Sequence, residues 1–227
     1  MSDPANARVM YIDDSRDAEH QVSTLDALLD LLGGDQFALG RYTPRMTGTM
    51  SRLDEATVGA YAIGDIIANS TTAANVVPIA FNAVRQGAQR YSGRIMGAHC
   101  VVAPASGNLV IAALDFDLLL FRPATGIPFA TGSFPADNAA LAVSAASMRE
   151  LVAVIPFVNS QWRSPAGSKT VAGAAGYQFS PLTTMTTYNL ADISNASTLS
   201  GVLQAQGIWT PGHVVQQFDF RLVVEQD

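Results

Sequence analysis

From 214 to 225 the chain alternates without a break, with Val214, Gln216, Phe218, Phe220, Leu222 and Val224 on one side and Val215, Gln217, Asp219, Arg221, Val223 and Glu225 on the other. Side chains of a strand point alternately to its two faces, so the first set is a core face with Gln216 near its end. The pattern belongs to an antiparallel sheet buried on one side. A helix, with its period of 3.6, cannot gather these residues together.

Comparable segments recur from about Tyr61 onward. The sequence predicts strands over 65–68, 77–84, 94–103, 109–122, 151–159, 169–179, 183–190, 201–209 and 214–225, separated by clusters of Gly, Pro, Asn and Ser. Pro104-Ala-Ser-Gly-Asn108 reads as a hairpin turn between two of them, with Gly107 free to take positive φ. The pattern turns briefly helical around Asp137-Asn138, and Ser144 is placed to cap a short piece running through Met148 to Glu150. Helices and strands do not alternate, which disfavours a parallel doubly wound sheet. The expected fold is all-β, a jelly-roll-like antiparallel sandwich over residues 56–227.

Residues 1–55 are a different material. They hold ten acids and five arginines, against nine acids and eight bases in the rest of the chain. Residues 1–22 read as an extended arm and about 23–32 as a short amphipathic helix. Ser23 caps it, Leu25, Leu28, Leu29 and Leu32 share one face, and Gly33-Gly34 stops it. A helix this short is unstable alone in water, so its leucine face must dock on the sandwich, a sister subunit or a partner. Residues 35–55, carrying Arg41, Arg45 and Arg52, read as a linker.

Charge and hydropathy narrow the partners. The pI near 4.9 leaves no basic stripe for nucleic acid. The richest apolar run, Leu109–Phe121, is interrupted by Asp115 and Asp117 and falls short of the roughly 18 residues a membrane span needs. The start, Met1-Ser-Asp-Pro4, lacks the pattern of a cleaved export signal. The single cysteine, Cys100, excludes an internal disulfide, which fits synthesis in a reducing cytoplasm.

Chemical motifs are sparse. His20, His99 and His213 are far apart and no metal-ligand spacing is present, so neither metal nor cofactor is expected. Neighbours on a strand face opposite ways, which separates His99 from Cys100 and makes Cys100 a buried structural thiol. Ala166-Gly-Ser-Lys-Thr170 departs from a phosphate-binding loop at the residue before Lys169, and no nucleophile elbow exists. The expectation is a protein that is not an enzyme.

Two features allow a ligand. Asp115 and Asp117 share a strand face about 7 Å apart, a spacing that could hold Ca²⁺ or work on a sugar, but they read more simply as the outer side of a strand, with Arg122 and Arg94 as partners. Trp162 and Trp209 could stack on a saccharide, yet two isolated tryptophans more often anchor a core or an interface.

A resemblance adds to this reading. The stretch Tyr61-Ala-Ile-Gly-Asp-Ile-Ile-Ala-Asn-Ser70, with Gly93-Arg-Ile95, Val102-Ala-Pro-Ala-Ser-Gly-Asn-Leu-Val110, Leu118-Leu-Leu-Phe-Arg-Pro123 and Phe134-Pro-Ala-Asp-Asn138, resembles tailed-bacteriophage virion structural proteins. The similarity spans roughly residues 60–160. It implies a capsid decoration, or cement, protein whose jelly-roll domain forms homotrimers on the outer surface of the major capsid protein shell and stabilises the head. On that reading residues 1–55 lace the protein to the shell, with the leucine face and Arg41, Arg45 and Arg52 as docking residues. The alternative is another virion component, a head-fibre base or tail protein, or a carbohydrate-binding jelly roll, with Asp115, Asp117, Trp162 and Trp209 lining a shallow site.

Overall fold

Nine strands carry the architecture of the computed structural model, which describes residues 45–52, 59–82, 92–104, 114–123, 129–165, 175–189, 198–210 and 215–226. They are β1 (Arg45–Arg52), β2 (Ile66–Ile67), β3 (Ile79–Phe81), β4 (Ser92–Pro104), β5 (Phe116–Phe121), β6 (Leu151–Phe157), β7 (Gly176–Asn189), β8 (Leu199–Ala205) and β9 (Gln216–Gln226). The chain divides after Tyr42 into two units, and every described residue lies in the second, Thr43–Asp227.

The strands form two antiparallel sheets, one in the order β1-β9-β4-β7, the other β2-β8-β5-β6 with β3 also on β8. β2 and β3 lie end to end along one edge of β8: Ile66 and Ile67 pair with Gln204 and Leu203, and Ile79 to Phe81 with Gly201 to Leu199. Counted as one interrupted strand, they leave two four-stranded sheets of chain order 1-8-3-6 and 2-7-4-5. That order is the jelly roll, two Greek keys closed over one core.

Alternation builds the core. From β9, Gln216, Phe218, Phe220, Leu222 and Val224 all point inward and are buried, as the sequence pattern requires. Leu114, Phe116, Leu118 and Leu120 meet them from the other sheet. Phe116 sits among Phe157, Phe218 and Phe220 at centroid separations of 5.1, 5.8 and 6.2 Å. The flanks close where edge strands approach: Ser180 Oγ on β7 donates to the Pro156 carbonyl on β6, and Gly48 on β1 packs against Ile79 and Phe81 on β3. A Cβ at Gly48 would lie 2.5 Å from Ile79 Cγ2, so this contact depends on glycine.

Four expectations change. Residues 45–52, read as linker, are edge strand β1, paired residue by residue with β9 from Arg45–Val223 to Arg52–Gln216. Their alternation (Met46, Gly48, Met50 and Arg52 inward; Thr47, Thr49 and Ser51 outward) is masked in the sequence by glycine and arginine at two core positions. Residues 105–108 of the expected hairpin turn lie outside the described residues, and the strands on either side of them are not paired with each other: β4 pairs with β7 and β9, β5 with β6 and β8. An apolar strand is satisfied equally by a neighbour in its own sheet or by the facing sheet, and here the chain crosses between sheets.

The predicted strands 169–179 and 183–190 merge into β7, which runs straight through Pro181. An edge strand tolerates proline because one side of it needs no ladder donor. Opposite it, β4 shifts register between Ile95 and Gly97, and a Cβ at Gly97 would collide with the Ser180 carbonyl. Asp137-Asn138 is a turn, with Asn138 at φ 59°, rather than helix. The only α-helix among the described residues, α1 (Ala145–Met148), starts at Ser144, whose side chain accepts from the Ser147 amide at 3.0 Å.

Candidate interaction faces

The outer faces of the two sheets are treated differently by the chain. Over the five-stranded sheet, the segments preceding β3 and following β5 fold back on the outward side chains. Ile66, Ala68, Val76, Leu119, Phe121, Phe134 and Val202 form a second apolar cluster there, with Phe129 and Phe134 5.6 and 5.5 Å from Phe121. Most of this face is therefore internal.

Among the described residues no such cover lies over the β4–β7 side of the four-stranded sheet. Val101, Tyr177 and Phe179 are 40, 48 and 44 % exposed. Register aligns them in two rows across the sheet: Thr49, Asp219, Val101, Tyr177 and, next to it, Thr47, Arg221, His99, Phe179. The His99 ring lies 4.6 Å from that of Phe179. Arg163 bridges Tyr177 through two backbone hydrogen bonds of 3.0 and 2.8 Å and keeps its side chain exposed. Asp219 Oδ1 accepts from the Gln217 side-chain Nε2 at 2.9 Å.

β7 is inverted relative to ordinary patterning, with Gln178 and Ser180 buried and Tyr177 and Phe179 outside. Alternation alone would turn the aromatics inward. The inward polar groups are satisfied where the two sheets meet, Gln178 with Gln161 at 3.2 Å and Ser180 with the Pro156 carbonyl. The sequence signal for this aromatic patch is therefore two successive polar residues on the core side, Gln178 and Ser180, visible only once the strand is placed on an edge.

A second exposed apolar point lies at the end of the other sheet. The Tyr61 amide donates to the Trp209 carbonyl and the Gly64 amide to that of Ala205, which brings the 61–65 turn beside the segment after β8. Ile63 and Ile208, 68 and 74 % exposed, project there. Asp65 and Asp115 flank them: Asp65 Oδ2 accepts from the Ala62 amide at 2.7 Å, and Asp115 Oδ2 lies 3.9 Å from where a Cβ on Gly207 would stand.

The residues expected to dock or bind fall into three groups. Leu25, Leu28, Leu29, Leu32 and Arg41 lie outside the described residues, and Arg45 is placed only by its backbone pairing with Val223. Arg52 is corrected: it is 1 % exposed and held inside. Its Nε donates to Tyr61 Oη at 2.6 Å and lies 3.4 Å from Asp137 Oδ2. Tyr61 Oη donates to Asp137 Oδ1 at 2.6 Å, which also accepts from the Ala68 amide at 2.7 Å. Trp209 stacks on Tyr61 at 5.2 Å, and the Arg52 guanidinium lies 5.5 Å from the tyrosine ring centroid. Burial, then the Asp137 charge, push the Tyr61 hydroxyl well above the usual tyrosine range, so it stays protonated and can donate. A long basic side chain on an apparent linker reads as a docking group because nothing in the local sequence reveals its distant carboxylate.

The shallow ligand face is also corrected. Trp162 is fully buried, its Nε1 donating to the Leu114 carbonyl at 2.9 Å, and Trp209 is 2 % exposed. Asp115 and Asp117 do share the outer side of β5 and are half-buried, with no aromatic platform beside them from either tryptophan. Burial, reinforced by Asp115, raises the Asp117 pKa, and a hydrogen bond from Gln206 opposes the rise. Neither expected arginine serves them: Arg122 Nε lies 2.6 Å from Glu150 Oε2, and Arg94 belongs to β4 in the other sheet. Cys100 is buried with its thiol pKa raised well above normal by desolvation, and His99 points to the opposite face. Among the described residues no group of three or more His, Cys, Asp or Glu is placed to hold a metal, and no helix is long and apolar enough to cross a membrane.

No protein-family model matches the chain, and no curated protein matches its sequence. Among solved structures it is similar to the decameric and 60-mer BFDV capsid proteins. These superpose with TM-scores of 0.30 and 0.32 at 12 and 14 % identity, covering 82 % of this chain and 99 and 92 % of theirs. A chain of an Israeli acute paralysis virus full particle superposes at 0.27 and 9 %, covering 84 % of this chain and 72 % of that one. The jelly-roll assignment rests on strand order and register.

Proposed function

We propose that the protein is a capsid decoration protein that binds the outer surface of a shell of major capsid protein as a homotrimer and braces it, with the residues before β1 as its tether. The observation that carries this reading is the unequal treatment of the two sheets. One outer face is filled by the chain's own loops, and the other keeps Val101, Tyr177 and Phe179 uncovered. Exposed aromatics gathered on one face mark an interaction surface more than isolated apolar residues do. The resemblance over residues 60–160 supports the same class of protein. The burial of Trp162 and Trp209 removes the platform on which the carbohydrate-binding alternative depended.

The test is co-sedimentation of the full-length chain with shells assembled from the major capsid protein, together with the heat resistance of those shells. Saturable binding that raises the shell's disruption temperature supports the proposal. The chain shortened by residues 1–42 keeps all nine strands and is expected to lose most of its shell affinity. Absence of binding by the full-length chain overturns the reading, and undiminished binding by the shortened chain overturns the tether.

A further inference from the structure

Val77, Met148 and Val154 are exposed apolar side chains as well, but the aromatic patch and the isoleucine pair differ from each other in charge and in position. Tyr177 and Phe179 belong to β7, the edge of the four-stranded sheet on the flank where it meets β6. Ile63 lies in the turn leading into β2, on the opposite edge of the other sheet. The aromatic patch is bordered by the exposed cations Arg163 and Arg221 and by one carboxylate, Asp219, which accepts from the Gln217 side chain, so its cations outnumber its anions two to one. The isoleucine point is bordered by Asp65 and Asp115.

We infer that these are the two halves of one self-contact: Ile63 and Ile208 of one copy seat on Tyr177 and Phe179 of the next, with Asp65 and Asp115 facing Arg163 and Arg221. The occupant is a second copy of this chain, because both halves and their opposite charges are present on the same molecule. Patch against patch would set arginines against arginines, and point against point would set carboxylates against carboxylates. Like charges brought together across an interface disfavour that pairing. Tyrosine and arginine at the receiving half are the residue types that concentrate binding energy. A contact joining one flank to the opposite flank is head-to-tail, and such contacts close into rings or run on as filaments. Closure at three copies rests on the trimer proposed above; the pairing of surfaces does not.

Disulfide trapping in the full-length chain tests it. Ile208→Cys and Tyr177→Cys are made singly and together; both sites are exposed, and the native Cys100 is buried and does not compete. The double variant is expected to give a covalent ladder on non-reducing gels ending at three chains, with at least tenfold more linked product than either single variant. Equal linkage by a single variant overturns the inference in favour of a like-with-like contact. A three-copy mass by light scattering for the native chain, without linkage in the double variant, overturns the surfaces and leaves the trimer standing. A native chain of 23.9 kDa that also fails to link when bound to shells overturns ring and surfaces together, while its co-sedimentation decides shell binding separately.

Discussion

Replacing Arg52 with alanine isolates what the buried Arg52–Tyr61–Asp137 network contributes. The substitution removes the guanidinium from the Asp137 carboxylate, 8 % exposed as a residue, which keeps its bonds from the Tyr61 hydroxyl and the Ala68 amide. Removing one partner of a buried ion pair costs about 3–5 kcal/mol, because the remaining charge stays desolvated. Tyr61→Phe keeps the ring on Trp209 and deletes two hydrogen bonds to charged groups, each worth about 1.5–3 kcal/mol. The direct Arg52–Asp137 approach at 3.4 Å has room to tighten and recovers part of that loss. The expected order is therefore Arg52→Ala above Tyr61→Phe, the latter about 2 kcal/mol.

In a domain of this size each kcal/mol moves the unfolding midpoint by about 2–4 °C, so Arg52→Ala lowers it by about 10 °C. Urea unfolding at pH 7, followed by tryptophan fluorescence, measures both variants and the Arg52→Ala/Asp137→Ala double. The double is expected to fall short of the sum of the singles by more than about 1 kcal/mol, the mark of direct coupling. An Arg52→Ala protein within about 0.5 kcal/mol of the native one refutes the network as a stabilising element. If that variant also lost shell binding, Arg52 would return to the surface as a docking residue.

Asp117→Asn is expected to raise stability at pH 7. The native state raises this pKa, so it holds the proton more tightly than the unfolded chain, and ionisation above the folded pKa lowers stability. The advantage of the amide shrinks as pH falls through the folded pKa and vanishes below about pH 4, the unfolded aspartate value, which urea midpoints across pH would show. Gly48→Ala is expected to cost about 1–3 kcal/mol by pushing β1 off Ile79 and Phe81, read as a lower thermal midpoint with unchanged far-ultraviolet circular dichroism. Cys100 should resist a thiol reagent until the protein unfolds; rapid native labelling would contradict its burial.

Local pattern was enough for much of the fold. The alternation over Phe218, Phe220, Leu222 and Val224, the opposed faces of Asp117 and Leu118, and the Ser144 cap all follow from backbone period and one side-chain acceptor. These properties are decided within a few residues, so the sequence determined the all-β class, the inward faces of β5 and β9 and the burial of Cys100 by itself.

Partnership needed the tertiary structure. Period 2 states which face of β4 is apolar without stating whether β5 lies beside it or across the core, and the chain took the second course. Arg52 became a core residue only because Tyr61 and Asp137, nine and eighty-five positions away, converge on it. Tyr177 and Phe179 became surface residues because the junction of two sheets supplied hydrogen bonds for Gln178 and Ser180. Burial is a property of position in the assembled sandwich. A residue's own chemistry states what it would cost to bury it, and only distant partners decide whether that cost is met.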